Sequence, residues 1–125
     1  MELTITIPLP PVTKKNSQRI VVVRGRPLVM PSKVYKDYEK ASALYVHRQD
    51  PPISHPVNVK CIYYMPTRRK VDLQNLVSAT MDILVKYGVL EDDNSSIVVG
   101  NDGSRVLYDK EAPRTEIVIT RMEGE

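Results

Sequence analysis

The sequence predicts an α+β domain in two layers, a mixed or mostly antiparallel sheet with two helices on one face. Three observations lead there. Apolar residues alternate with polar ones near both ends and in the middle: Leu3, Ile5, Ile7 and Leu9; Val57, Val59, Cys61, Tyr63 and Met65; Ile117 and Ile119. Two other stretches repeat at the three-to-four spacing of a helix face, Tyr35–Tyr38–Ala41 or Ser42–Tyr45 and Leu73–Leu76–Val77–Thr80–Ile83–Leu84–Tyr87. Turn signals beside short β-branched runs suggest hairpins, so strands outnumber helices. At 125 residues the chain suits one domain spanning 1–125, with enough buried surface to need no disulfide or structural metal.

The first strand, with Thr4 and Thr6 on its other face, stops at Pro8, Pro10 and Pro11, which place it at a sheet edge or strand end. Thr13 to Arg19 is a polar, basic loop. Ile20–Val23 and Pro27–Met30 flank Arg24-Gly25-Arg26 and form a hairpin turning near Gly25. Ser32 is the expected N-cap of the first helix, which should run to His47–Gln49 before Pro51-Pro52. Pro66 ends the central strand. The second helix spans Leu73 to Tyr87, with Asp72 as its cap and Gly88 just past its last turn. Ile97–Val99, Asn101-Asp102-Gly103-Ser104 and Arg105–Tyr108 read as a second hairpin. This order is not that of a βαβ nucleotide fold, and no glycine-rich phosphate loop is present.

Composition narrows the function classes. The formal net charge is +3, mildly basic and uninformative alone, so the placement of charges matters more than their sum. A lone cysteine, Cys61, forms neither an intrachain disulfide nor a zinc site. Its place in an alternating run puts it in the core, and a reducing compartment suits it. No run of about 18 apolar residues spans a membrane, and the N-terminus alternates instead of forming a signal peptide. With no Phe or Trp, the seven tyrosines must supply the aromatic part of the core. His47 and His55 have no partners at metal-ligand spacing and receive no catalytic role.

The unusual region is Arg68-Arg69-Lys70-Val71-Asp72-Leu73-Gln74-Asn75-Leu76, where three cations lead into a carboxylate at a helix start. Some twenty residues on, Glu91-Asp92-Asp93-Asn94 sets three acids side by side, which repel one another unless they face solvent or bind cations. Phosphodiester cleavage needs both kinds of group. Carboxylate oxygens hold hard Mg²⁺ or Mn²⁺, and Lys and Arg hold the phosphate backbone. Each segment also has an ordinary explanation: Asp72 as a helix cap, Glu91–Asp93 as a polar loop, Arg68–Lys70 as a solvated strand end.

In Ile5-Thr6-Ile7-Pro8-Leu9-Pro10-Pro11 with Lys15-Asn16, in Asp72-Leu73-Gln74-Asn75-Leu76, Asp82-Ile83-Leu84, Gly88-Val89 and Asp92-Asp93, and in Glu116–Thr120, the chain resembles RusA-like endodeoxyribonucleases, Holliday-junction resolvases common in phages and prophages. The central motif is the most specific part; the ends match weakly. The resemblance implies a Mg²⁺-dependent (or Mn²⁺-dependent) homodimer acting in DNA recombination and repair, which cuts four-way junctions in pairs within the cytoplasm of a bacterial host. The family's essential groups are a first Asp, a second Asp two residues later, a Lys four residues beyond that, and an Asp of the Asp-Asp pair. Asp72 matches the first and Asp93 the last, with Asp92 beside it. Gln74 and Ser78 stand where the best-known branch has its second carboxylate and its lysine.

The resemblance thus implies Asp72, Asp92 and Asp93 as metal ligands, with Gln74 and Asn75 completing the catalytic set. Lys70 or Lys86 is available to replace the missing lysine, and Lys14, Lys15, Arg68, Arg69, Lys70 and Lys86 are expected on DNA. Two other functions stay open: a branched-DNA-binding protein without cleavage, and a phage structural or interaction protein. A helix from Asp72 to Tyr87 is about 22 Å long, and six further residues span at most about 20 Å. Asp93 returns to Asp72 only if the chain runs straight back. Otherwise a two-fold partner must supply it, giving an active site shared between subunits.

Overall fold

In the computed structural model, which describes residues 2–14 and 18–122, the elements run β1 (Glu2–Ile7), β2 (Gln18–Val23), β3 (Arg26–Pro31), α1 (Lys33–Ser42), β4 (Val57–Met65), α2 (Leu73–Lys86), β5 (Val98–Gly100), β6 (Arg105–Tyr108) and β7 (Arg114–Arg121). The expected α+β architecture is found, a mixed sheet with both helices on one face. The sheet order is β1-β7-β4-β5, with β6 also on β4, while β2 and β3 form a separate two-stranded ribbon.

Alternation explains which face is covered. Ile5, Ile7, Val57, Val59, Cys61, Tyr63, Thr115, Ile117 and Ile119 are all buried and lie at every second position of β1, β4 and β7. The buried stripe of α2 (Leu76, Ala79, Thr80, Ile83 and Leu84) belongs to the same core. Thr80 Oγ1 donates to the Leu76 carbonyl at 3.1 Å, so the 2.7 Å bond from Tyr63 to Thr80 has the tyrosine as donor and ties α2 to β4. Helix α1 contributes Tyr35 and Tyr38 and is joined to α2 by Tyr87 Oη donating to the Glu39 carbonyl at 3.0 Å. Three of the seven tyrosines, Tyr35, Tyr38 and Tyr63, are core residues as expected. Cys61 is fully buried, and burial pushes its thiol up to about 11.

Two expectations are corrected. Helix α1 ends at Ser42, not near His47–Gln49. Ser42 Oγ bonds back to the Tyr38 carbonyl at 2.7 Å, and the amides of Ala43, Leu44 and Tyr45 then reach only three residues back, tightening the chain out of the α-helix. The second hairpin does not form. β5 and β6 both run parallel to β4 and follow one another along the same edge, Val57↔Val98 and Asn58↔Gly100 first, then Ile62↔Arg105 to Met65↔Tyr108.

The turn between them is present: the Ser104 amide donates to the Asn101 carbonyl at 3.1 Å, and Gly103 takes φ +87. It makes a bulge in one edge instead of a reversal. Side chains bridge the gap. Asn58 pairs with the Asp102 backbone through both its amide groups (2.9 and 3.2 Å), Asn101 Nδ2 donates to the Val59 carbonyl (2.9 Å), and the Cys61 amide donates to Ser104 Oγ (2.9 Å). The described residues therefore include a β–α–β crossover, β4–α2–β5, with β6 continuing parallel to β4 on the same edge, while β1, β7 and β4 pair antiparallel.

Candidate functional site

Helix α2 begins where the sequence places it, because Asp72 is its N-cap. Asp72 Oδ1 accepts from the Gln74 amide at 2.9 Å and the Asn75 amide at 3.4 Å, satisfying two donors that have no partner inside the helix. The capping explanation of Asp72 is thus correct. It leaves Asp72 Oδ2 accepting from no described residue, so the cap does not use up the carboxylate. Leu73, Gln74, Val77 and Ser78, one face of the first two turns, line a cavity of about 510 Å³. Its other lining residues are Asp93, Asn101 and Ser104.

Asp92 and Asp93 divide their tasks. Asp92 shapes the loop: its carboxylate accepts from the Asn94 side chain at 2.8 Å and the Asp93 amide at 2.9 Å, and these bonds, Asn94's first, hold it below the usual carboxylate range. Asp93, exposed, is the residue of the pair that reaches the cavity. The chain after α2 does run straight back, since Asp93 and Gln74 line one cavity within one chain. The geometric reason for a site shared between subunits therefore falls away.

The predicted cations are dispersed. A second cavity, of about 370 Å³, is lined by Pro11, Thr13, Met65, Pro66, Thr67, Arg69, Lys70 and Val71. Val71 lines this cavity and Leu73 the other, so Asp72 lies between them in the chain. Arg68 rests over the Tyr108 ring, 4.2 Å from its centre. Arg68, Arg69 and Lys70 are all exposed, and none pairs with a carboxylate among the described residues. Lys14 is bound to Asp82 at 3.3 Å; Lys15 lies outside the described residues.

Lys86 is corrected as a stand-in for the missing lysine. It sits at the far end of α2, about 12 Å along the axis from Ser78, and is paired with Glu39 at 2.6 Å. Sequence reasoning also passed over Asn101 and Ser104, because both read as turn formers.

The family model described as Endodeoxyribonuclease RusA matches residues 8–120. The chain belongs to the RusA family. No curated protein sequence matches it. Membership links the chain to RusA-type Holliday-junction resolvases and to nuclease activity at the family level. The matched span includes the cap and first turn of α2 and the loop carrying Asp93, and Asp93 lies on the same cavity as Gln74 and Ser78.

The fit of the residues to the divalent ion this family uses is a question of donor chemistry. Asp72 Oδ2, Asp93 and the Gln74 carbonyl are all oxygen donors, the kind that hard Mg²⁺ takes, and Mg²⁺ ordinarily needs only one or two carboxylates beside water and phosphate. The set fits, with little negative charge. Among the described residues no three acids, histidines or cysteines form a metal cluster. No helix among them is long and apolar enough to cross a membrane.

Proposed function

We propose that this protein is a Mg²⁺-dependent endodeoxyribonuclease that resolves four-way or other branched DNA junctions by paired phosphodiester cuts. It would act as a homodimer in the cytoplasm of a bacterial host, with Mn²⁺ able to replace Mg²⁺. The observation that carries the reading is the cavity shared by Gln74 and Ser78 of α2 with Asp93, inside a chain of the RusA family. Asp72 and Asp93 would hold the ion, with Gln74 adding a neutral oxygen. The bound ion supplies an activated water and offsets charge on the phosphate. The protein does the rest. Arg69 and Lys70, exposed on the neighbouring cavity, bind the phosphate backbone and bring it past Asp72. Asn75, in the first turn of α2, would hold a water beside that carboxylate. Each protomer builds its own site, and the two-fold pair supplies two equivalent cuts.

Gln74 in place of a carboxylate favours one rival reading, a protein that holds branched DNA without cutting it. One experiment separates the two. Purified protein is incubated with a labelled four-way junction or a matched linear duplex, in Mg²⁺, Mn²⁺ or EDTA. Metal-dependent nicking confined to the junction is the expected result. Junction binding with no nicking in either metal would establish the rival. Mixing Asp72→Asn with Asp93→Asn protein under subunit exchange tests the within-chain site: both sites of every heterodimer stay damaged, so nicking should not return.

A further inference from the structure

The β2–β3 ribbon has no part in the site described above. Among the described residues it pairs with no other strand, and it carries an exposed apolar face: Ile20 is 73% exposed, Val22 68% and Val29 63%. The register sets Ile20 opposite Val29 and Val22 opposite Pro27, so these four residues share one side of the ribbon. An apolar patch of this kind marks an interaction surface.

Charge says what covers it. From Leu3 to Lys36 the sequence holds seven cations (Lys14, Lys15, Arg19, Arg24, Arg26, Lys33 and Lys36) and not one carboxylate. The whole chain has 18 cations and 15 acids, so the remainder has 11 cations against 15 acids, a balance of −4 beside the segment's +7. The basic character of the protein is therefore concentrated in the segment that carries the ribbon.

The tip is the third observation. Val23 pairs with Arg26, and the two residues between them, Arg24 and Gly25, have φ +52 and +77. This is a two-residue turn with both central residues in the left-handed region, a geometry that asparagine followed by glycine fits best. An arginine there is held in a backbone conformation unfavourable for it. Arg24 and Arg26 are exposed and have no ion-pair partner among the described residues.

We propose that the β2–β3 ribbon is a DNA-binding arm, with Arg24 and Arg26 at its tip on backbone phosphates and its Ile20–Val22–Val29 face against bases exposed at a branch point. It rests on the branched-DNA reading above but adds a contact surface separate from the α2 site. A two-stranded ribbon has the dimensions to enter a major groove, and branched aliphatic side chains are the kind that proteins set against unstacked bases.

The test is Arg24→Asn with Arg26→Gln. Asparagine suits the turn better than arginine, so the melting temperature should hold or rise while DNA binding weakens, a divergence that misfolding cannot produce. Loss of two phosphate contacts should reduce the slope of log affinity against log salt by nearly 2 and lower junction affinity on the order of tenfold at moderate salt. Arg24→Lys with Arg26→Lys should keep the slope. Ile20→Thr with Val22→Thr should lower junction affinity more than affinity for linear duplex.

A double variant with unchanged slope and affinity overturns the tip assignment. Dissociation of a dimer by Ile20→Thr with Val22→Thr, without a selective loss of junction binding, gives the apolar face to a second copy and overturns that half. Wild-type protein with no salt-dependent junction binding would instead refute the branched-DNA reading itself, a distinct outcome.

Discussion

The two edges of β4 are built differently. Along one, β7 pairs in unbroken antiparallel register from Val57↔Arg121 to Tyr64↔Arg114. Along the other, β5 and β6 pair in parallel and are separated by a bulge that Asn58, Asn101 and Ser104 span with their side chains. The regular edge has backbone partners throughout and contributes the buried residues Ile117 and Ile119. At the broken edge polar side chains replace the ladder, and two of them, Asn101 and Ser104, also face the cavity holding Asp93 and Gln74. Interrupting a sheet next to a helix N-terminus gathers short polar groups at one place without removing the sheet's hydrogen bonds.

The contrast is sharpest if the two edges fail in different ways. On the regular side, Ile117→Ala removes a fully buried side chain and should cost about 2–5 kcal/mol of stability, read as a fall in the denaturant midpoint. On the broken side, Asp93→Asn should leave that midpoint unchanged, since Asp93 is exposed, yet reduce nicking by more than the roughly 10–100-fold typical of lost outer-sphere support. Near wild-type cutting by this variant removes Asp93 from the site.

Between these extremes lies Asn101→Ala. It strips the Val59 carbonyl of its partner and should cost about 1–2 kcal/mol. Slower nicking at temperatures where the variant is fully folded would show that the bulge shapes the cavity as well as the sheet. Gln74→Asp should do the reverse of damage and lower the Mg²⁺ concentration needed for half-maximal nicking. An unchanged requirement means that position 74 does not face the ion.

The smallest effect concerns β4 itself. With its thiol buried and pushed up to about 11, Cys61 should react with a thiol reagent at pH 8 only after denaturant is added. Fast labelling of the folded protein would show that the broken edge opens to solvent.

What was legible in the sequence divides along the same line. Alternation in Val57–Met65 and around Ile117, the three-to-four stripe of α2, the cap at Asp72 and the positive φ of Gly88 all follow from local chemistry, and all were found. The direction of β6 was not local. Asn101-Asp102-Gly103-Ser104 has the composition of a reversal and does form a turn, but partners on Asn58, Val59 and Cys61, more than forty residues earlier, decide where the chain goes next. The ion pair of Lys86 with Glu39 likewise joins two helices whose mutual placement no spacing rule supplies. Among the candidate site residues, Asp72, Gln74 and Asp93 stand in a recognisable motif, whereas Asn101 and Ser104 belong to no pattern except the fold that brings them to the cavity of Gln74 and Asp93.

The position of β7 has a consequence for how the protein comes into being. β7, made after every other described strand, is an interior one, the link between β1 and β4, with Glu2 opposite Thr120. On a ribosome β1 emerges more than a hundred residues before β7, the strand it pairs with among the described residues. The sheet can close only once β7 has been made, and loop-closure entropy across so long a span slows that step. A nascent chain stopped at Pro113 would lose the strand that joins both flanks of the sheet, and would expose its apolar segments to chaperones and proteases for as long as translation stalls.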